Sequence, residues 1–232
     1  MNTLNRTHID IILWHRSRKN STSPATPTAT MAGSATALAS YYYPTAMSWG
    51  YPHLEVLIPS SNQTESSYHK YRGLGTSSTE WNPTDGSLAL IGGKSAPFST
   101  SIAAVSLYSG SLDIFITGGN DNTVYHKWHT NNATWSPDGI DSWEPRSQFS
   151  AGTAPAAVSW GPDRMDVFVL SAAASDLYQQ GWDSTNGWYD WYRLGGNWTN
   201  YVPTVVSWGQ NRLDAFVVDP KTNEMYHHGV DT

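Results

Sequence analysis

Residues 159–170 read SWGPDRMDVFVL, and residues 207–218 read SWGQNRLDAFVV. A single reactive centre needs its residues once, so a phrase written twice points to a repeated structural unit. Two weaker copies precede these: SWGYPHLEVLI from Ser48 and SLYSGSLDIFI from Ser106. The four serines, 48, 106, 159 and 207, are spaced by 58, 53 and 48 residues. Each copy carries an acid at the same place (Glu55, Asp113, Asp166, Asp214) and then reaches a tyrosine (Tyr68, Tyr125, Tyr178, Tyr226).

Within a unit the pattern is that of strands. Short runs rich in β-branched and aromatic residues, such as MDVFV and LDIFI, are bounded by Gly, Pro, Asn and Asp. In the third unit AVSWG, RMDVFVL, DLYQQGW and WYDWYRL make four such runs, joined by turn sequences such as GPDR and STNG. Four short antiparallel strands recurring at this period define an all-β fold, a β-propeller of four-stranded blades. The repeats divide residues 45–232 into units at about 45–97, 98–154, 155–202 and 203–232, which makes about four blades. The last unit holds two strand runs before the sequence stops. Residues 1–44 form an N-terminal segment, low in complexity over 16–40, in which IDIILWHRS (9–17) is a candidate closing strand. Closure by both chain ends, a place within a larger propeller, and completion by self-association are all compatible with this pattern.

Composition narrows the partners. Charged residues are 14% of the 232, against a usual value of about 25%. Twelve tryptophans and thirteen tyrosines make an aromatic chain with few ions, suited to uncharged ligands. A net charge of −6 opposes nucleic acid, which calls for a basic footprint. No cysteine is present, so disulfides, thiolate nucleophiles and Cys-based zinc sites are excluded. IDIILW is too short to span a membrane. No phosphate loop, nucleophile elbow or metal-binding helix motif appears, so no cofactor and no metal are expected.

The phrases SWG…RLDxFV, YHKW (125–128) and LGG (194–196) resemble those of the seven-bladed β-propeller lectins typified by the Photorhabdus lectins. The resemblance covers about residues 45–232 and is strongest in the last two units. It implies binding of fucose-like or O-methylated glycans between blades, without chemistry. Glycans or glycoconjugates are then the expected partners.

The residues themselves lead to a related reading. An indole or phenol ring offers a flat apolar surface to the C–H face of a pyranose, and polar neighbours bond its hydroxyls. Trp128, Trp135, Trp143, Trp182, Trp188 and Trp191 lie in the later strands and loops of their units and are the candidate platforms. His126, Gln179 and His227, at one repeat position after the tyrosine, are candidate hydroxyl-bonding partners. Trp49, Trp160 and Trp208, in the innermost phrase, are expected to be structural. The repeated acids are also expected to be structural, because a geometric role recurs with the fold whereas a catalytic pair does not. Lys70 and Lys127 are expected in solvent. His126 and His129, three apart on a strand, should face opposite ways. A sialidase-like glycosidase remains an alternative, since SPDGIDSW (136–143) approaches an Asp-box turn with its glycine one place early. A protein–protein scaffold is a third.

Overall fold

The structure, a computed structural model, describes residues 43–59, 67–73, 80–85, 87–92, 100–130, 134–139, 141–198, 201–219 and 221–231. The candidate closing strand at 9–17 lies outside them. Among the described residues the chain is all β, with sixteen strands in four antiparallel sheets.

The first sheet joins β1 (Thr45–Met47), β2 (Leu54–Pro59), β3 (Ser67–Arg72) and β4 (Ala89–Leu90) in sequence order. The second repeats that order with β5 (Ala103–Val105), β6 (Ser111–Thr117), β7 (Val124–Thr130) and β8 (Glu144–Pro145). The third contains β9 (Ala156–Gly161), β10 (Arg164–Leu170) and β11 (Leu177–Asp183). Its outer edge is split into β12 (Gly187–Trp188) and β13 (Tyr192–Gly195), both paired with β11. The fourth holds β14 (Thr204–Gly209), β15 (Arg212–Val218) and β16 (Met225–Asp231).

The outer run WYDWYRL is therefore two pieces rather than one strand. Between them the ladder is interrupted because Gln180 Nε2 donates to the Tyr189 carbonyl (2.8 Å), and Trp191 turns away to donate to the Arg146 carbonyl (2.8 Å). Blades 1 and 2 show the same break, as isolated bridges Tyr71–Asn82 and Trp128–Ser136. The β6–β7, β10–β11 and β15–β16 turns each place one residue at positive φ: Asn122, Ser175 and Asn223. Asn tolerates that region better than most side chains, which explains two of the three.

Strand alternation gives every blade two different faces. The second strand of each blade sends its acid and a large apolar residue (Leu57, Phe115, Phe168, Phe216) to one face, which in blades 1 to 3 meets the following blade. The intervening residues take the other face, which in blades 2 to 4 meets the preceding blade. Three apolar cores result. Leu57 meets Leu112, Ile114 and Ile116; Phe115 meets Met165, Val167 and Val169; Phe168 meets Leu213, Ala215 and Val217. Hydrophobic stabilisation thus resides between blades more than within them.

Lys127 departs from expectation. It is 1% exposed, and its ammonium donates to the carbonyls of Pro137 (3.0 Å), Gly139 (2.8 Å) and Ser142 (2.7 Å) beside the Trp143 ring. Lys70 does likewise with Pro83 and Ser87, both at 2.9 Å. Three carbonyls offset the cost of taking the charge out of water, and burial pushes the lysine's pKa down.

Phe168→Ala should leave a cavity in the core between blades 3 and 4 and cost about 3–5 kcal/mol. Urea titration followed by tryptophan fluorescence measures it; an unchanged midpoint would contradict the placement of that core.

Candidate functional site: the cleft between blades 2 and 3

The repeated acids come first, because their partners decide what they can do. Each is bonded by the residue after the repeated tyrosine, across the second and third strands. His69 Nδ1 lies 2.5 Å from Glu55, His126 Nε2 lies 2.9 Å from Asp113, and Gln179 Nε2 donates to Asp166 at 2.9 Å. His227 pairs with Asp214 in the same way. In blades 3 and 4 an arginine two residues before the acid adds a fork. Arg164 reaches both oxygens of Asp166 (2.8 and 2.7 Å), and Arg212 those of Asp214 (3.4 and 3.3 Å). Gly181 makes room for the first fork: a Cβ there would fall 2.2 Å from the Arg164 guanidinium. All four carboxylates are thus engaged within their own blades.

These pairs also fix His126, Gln179 and His227. His126 is buried, stacked between Phe115 (4.5 Å) and Trp128 (4.7 Å), with its second nitrogen 3.3 Å from Glu144. His129 faces the other side of β7, toward blade 1. There it meets Trp135 edge-on (4.7 Å) and lies near Glu55, His53 and His69. Its Nδ1 is buried without a hydrogen-bond partner.

The tryptophans separate by environment. Trp143 is 5% exposed, within the core between blades 1 and 2. Trp135 packs on that core, against His69 and His129. Trp182 lies across the ladder from Trp188. Trp208, expected to be structural, is 72% exposed and donates to Asp214 at 2.6 Å; its equivalents Trp49 and Trp160 pack on junction cores instead.

Trp188 and Trp191 meet in a cleft of about 570 Å³ at the junction of blades 2 and 3. Blade 2 contributes Arg146 and Phe149 to this cleft; blade 3 contributes Tyr178, Gln180, Trp188, Tyr189 and Trp191. The Arg146 guanidinium lies 4.2 Å over the Trp188 ring, and Trp188 is edge-on to Phe115 (5.8 Å) and His126 (5.3 Å). Arg146 donates to Glu144 (3.1 Å) and, from Nε, to Gln180 Oε1 (3.4 Å). Phe149 stacks on Tyr178 (4.2 Å) and meets Trp191 edge-on (5.3 Å), forming the apolar floor. Tyr189, on the rim, is tied down by Asp183 and by Asn186 Nδ2 (2.9 Å). Asp183 also caps the STNG turn through the Thr185 amide (2.8 Å) and the Asn186 amide (2.6 Å).

The cleft combines flat rings with one cation, Arg146, and one carboxylate, Asp190, while Glu144 pairs with Arg146 from outside the lining. Glu144 is held below the usual carboxylate range by its bonds to His126 and Arg146, despite partial burial. Arg146 is a cation beside it, two of its five donors spent on Glu144 and Gln180. Such a surface suits a ligand with one apolar face and several hydroxyls. Arg146 and Gln180 were not singled out from sequence. The available signal was position: Gln180 stands where blades 1 and 2 have Lys70 and Lys127, and Arg146 where blade 1 has Ile91.

No protein-family model matches the chain, and no curated protein matches it in sequence. Among solved structures it is similar to a fucose-specific lectin from Aleuria aurantia, with a TM-score of 0.50 and 14% identity. The match covers 78% of this chain and 56% of that one, so the chain spans little more than half the lectin's length. That lectin is a six-bladed propeller. At this identity the likeness bears on fold. The chain has the architecture of a partial β-propeller built from about four antiparallel blades. The specific seven-bladed family suggested by the SWG phrases gains no support from the comparison.

The junction of blades 1 and 2 should make stability pH-dependent. Burial alone would raise the Glu55 pKa, but bonds from His53 and His69 override it and bring it from 4.5 to about 2. A depressed carboxylate stabilises the fold above its unfolded pKa, and that contribution is lost as pH falls from about 4.5 toward 2. Burial likewise pushes His129 below 6.5, so its contribution is lost as acid first protonates the unfolded state beneath that value. Unfolding midpoints measured across pH should fall in both windows. Glu55→Gln should flatten the lower one and His129→Leu the upper.

Proposed function

We propose that this chain is a carbohydrate-binding propeller that recognises neutral, fucose-like or O-methylated glycans in aromatic pockets between blades, without chemistry. The observation that carries this reading is the cleft between blades 2 and 3, where Arg146 lies over Trp188 and Gln180 and Asp190 share the lining. Ring hydroxyls would bond the remaining guanidinium N–H groups and the Asp190 carboxylate. The apolar face or methyl group of the sugar would rest on Trp188, Trp191 or Phe149. The likeness in fold to a fucose-specific lectin agrees with it. Engagement of all four repeated acids in structural pairs favours binding over hydrolysis.

A shallow single-sugar site binds weakly, and useful affinity comes from several sites meeting one surface. On a glycan array the chain should retain clustered fucosylated or O-methylated glycans well above monovalent ones; equal retention would oppose the reading. Trp188→Ala should reduce binding at this cleft at least about tenfold, the loss of one aromatic anchor. Isothermal titration with methyl-α-fucoside checks this, with circular dichroism confirming that the sheet content is kept. Unaltered binding by a folded variant would move the site elsewhere.

A further inference from the structure

We infer that His126 is a positioning residue for the cleft between blades 2 and 3: from inside blade 2 it holds Glu144, and through Glu144 it sets the Arg146 guanidinium over the Trp188 ring. The inference rests on the reading of that cleft as the saccharide site. His126 is 3% exposed and is not among the residues that line the cleft, so it acts on a ligand only through its neighbours.

Its ring is fixed by three others. Phe115 and Trp128 stack on it at interplanar angles of 9° and 16°, and Trp188 of blade 3 meets it at 76°. In that orientation Nε2 faces Asp113 at 2.9 Å and Nδ1 faces Glu144 at 3.3 Å. Glu144 meets His126 with Oε2 and accepts from Arg146 Nη1 with Oε1 at 3.1 Å, so one carboxylate joins the buried ring to the guanidinium. On the far side Arg146 Nε donates to Gln180 Oε1, and the Gln180 amide donates to the Tyr189 carbonyl. An ion pair between two long side chains near the surface holds no single geometry by itself. Anchored on a buried ring it becomes rigid, and a guanidinium already in place costs an incoming ligand less ordering. This link is additional to what the fold requires. His69 and Gln179 each bond their own blade's acid as His126 does, but across the ladder they face Ala89 and Tyr192, where His126 faces Glu144.

Gln179 fills the same position in blade 3 and bonds Asp166, so His126→Gln should keep the bond to Asp113 and lose the link to Glu144. In heteronuclear NMR spectra of the ligand-free protein, the Arg146 Nε–H signal is identified by its loss in Arg146→Lys. It should exchange with water at least about tenfold faster in His126→Gln, the scale of one lost charge-assisted hydrogen bond. The urea midpoint should stay near that of the wild type. Glu144→Ala should give the same acceleration, and the double variant no more, because both residues act along one chain of contacts. Methyl-α-fucoside should bind His126→Gln about tenfold more weakly by the same loss. An unchanged Arg146 exchange rate in folded His126→Gln, or additive effects in the double variant, would overturn the inference. Should His126→Gln lose its circular-dichroism signature, Glu144→Ala tests the link from its partly exposed end. A histidine Nδ1 resonance should then shift, and histidine spectra identical to the wild type would overturn the inference. If the arginine signal responds as expected and no form of the protein binds the fucoside, the positioning of Arg146 stands and the saccharide reading of the cleft falls.

Discussion

The structure depends on one contact repeated along the chain: a large apolar side chain from the second strand of a blade, pressed into the aliphatic row of the blade that follows. An isolated blade is a thin sheet with apolar residues on both faces and cannot bury either alone. Stacking neighbours buries both. Phe115 and Phe168 are completely enclosed for this reason, although each sheet is only a few strands wide. The rest of the molecule arranges itself around that requirement, including the acids, whose place beside the large apolar residue puts them at the same seams.

A carboxylate at a buried seam must be hydrogen-bonded or neutralised. The chain meets this demand in two styles. Blades 3 and 4 use an arginine fork with a glycine opposite to admit it. Blade 1 uses His53, stacked flat on Trp49 with ring centroids 3.2 Å apart, together with His69. In blade 2 the acid keeps only its histidine, and Ser111 stands where the arginine would be. It bonds the amides of Leu107 (2.9 Å) and Tyr108 (3.1 Å) instead. The seams are thus alike in geometry and different in chemistry, and the candidate cleft lies where the outer strand of blade 2 contributes a guanidinium rather than an aliphatic chain.

Much of the fold was legible because it is written as a period. Spacing of the serines, the acids and the tyrosines identified the blades, and the β-branched and aromatic runs such as MDVFV identified their strands. The structural character of the acids was legible by the same argument from recurrence. The site was read less well. Tryptophan content marks aromatic blades but does not say which ring is enclosed: Trp143 and Trp191 stand at equivalent places, yet only Trp143 is sealed in a core. What separates them is the outer loop, whose shape follows from tertiary bonds such as Gln180 to the Tyr189 carbonyl. Lys127 misled for a related reason. A lysine on a strand reads as a solvent-facing residue until a loop folds its carbonyls over the ammonium.

That ammonium gives the carbonyls of Pro137, Gly139 and Ser142 an internal anchor of the kind that an alkali or alkaline-earth ion provides elsewhere. Because the charge is covalently tethered, chelators cannot strip it and low salt cannot empty it. Amine-directed reagents, by contrast, should find Lys127 shielded for as long as blade 2 stays folded, which makes its labelling rate a clock for local opening of that blade.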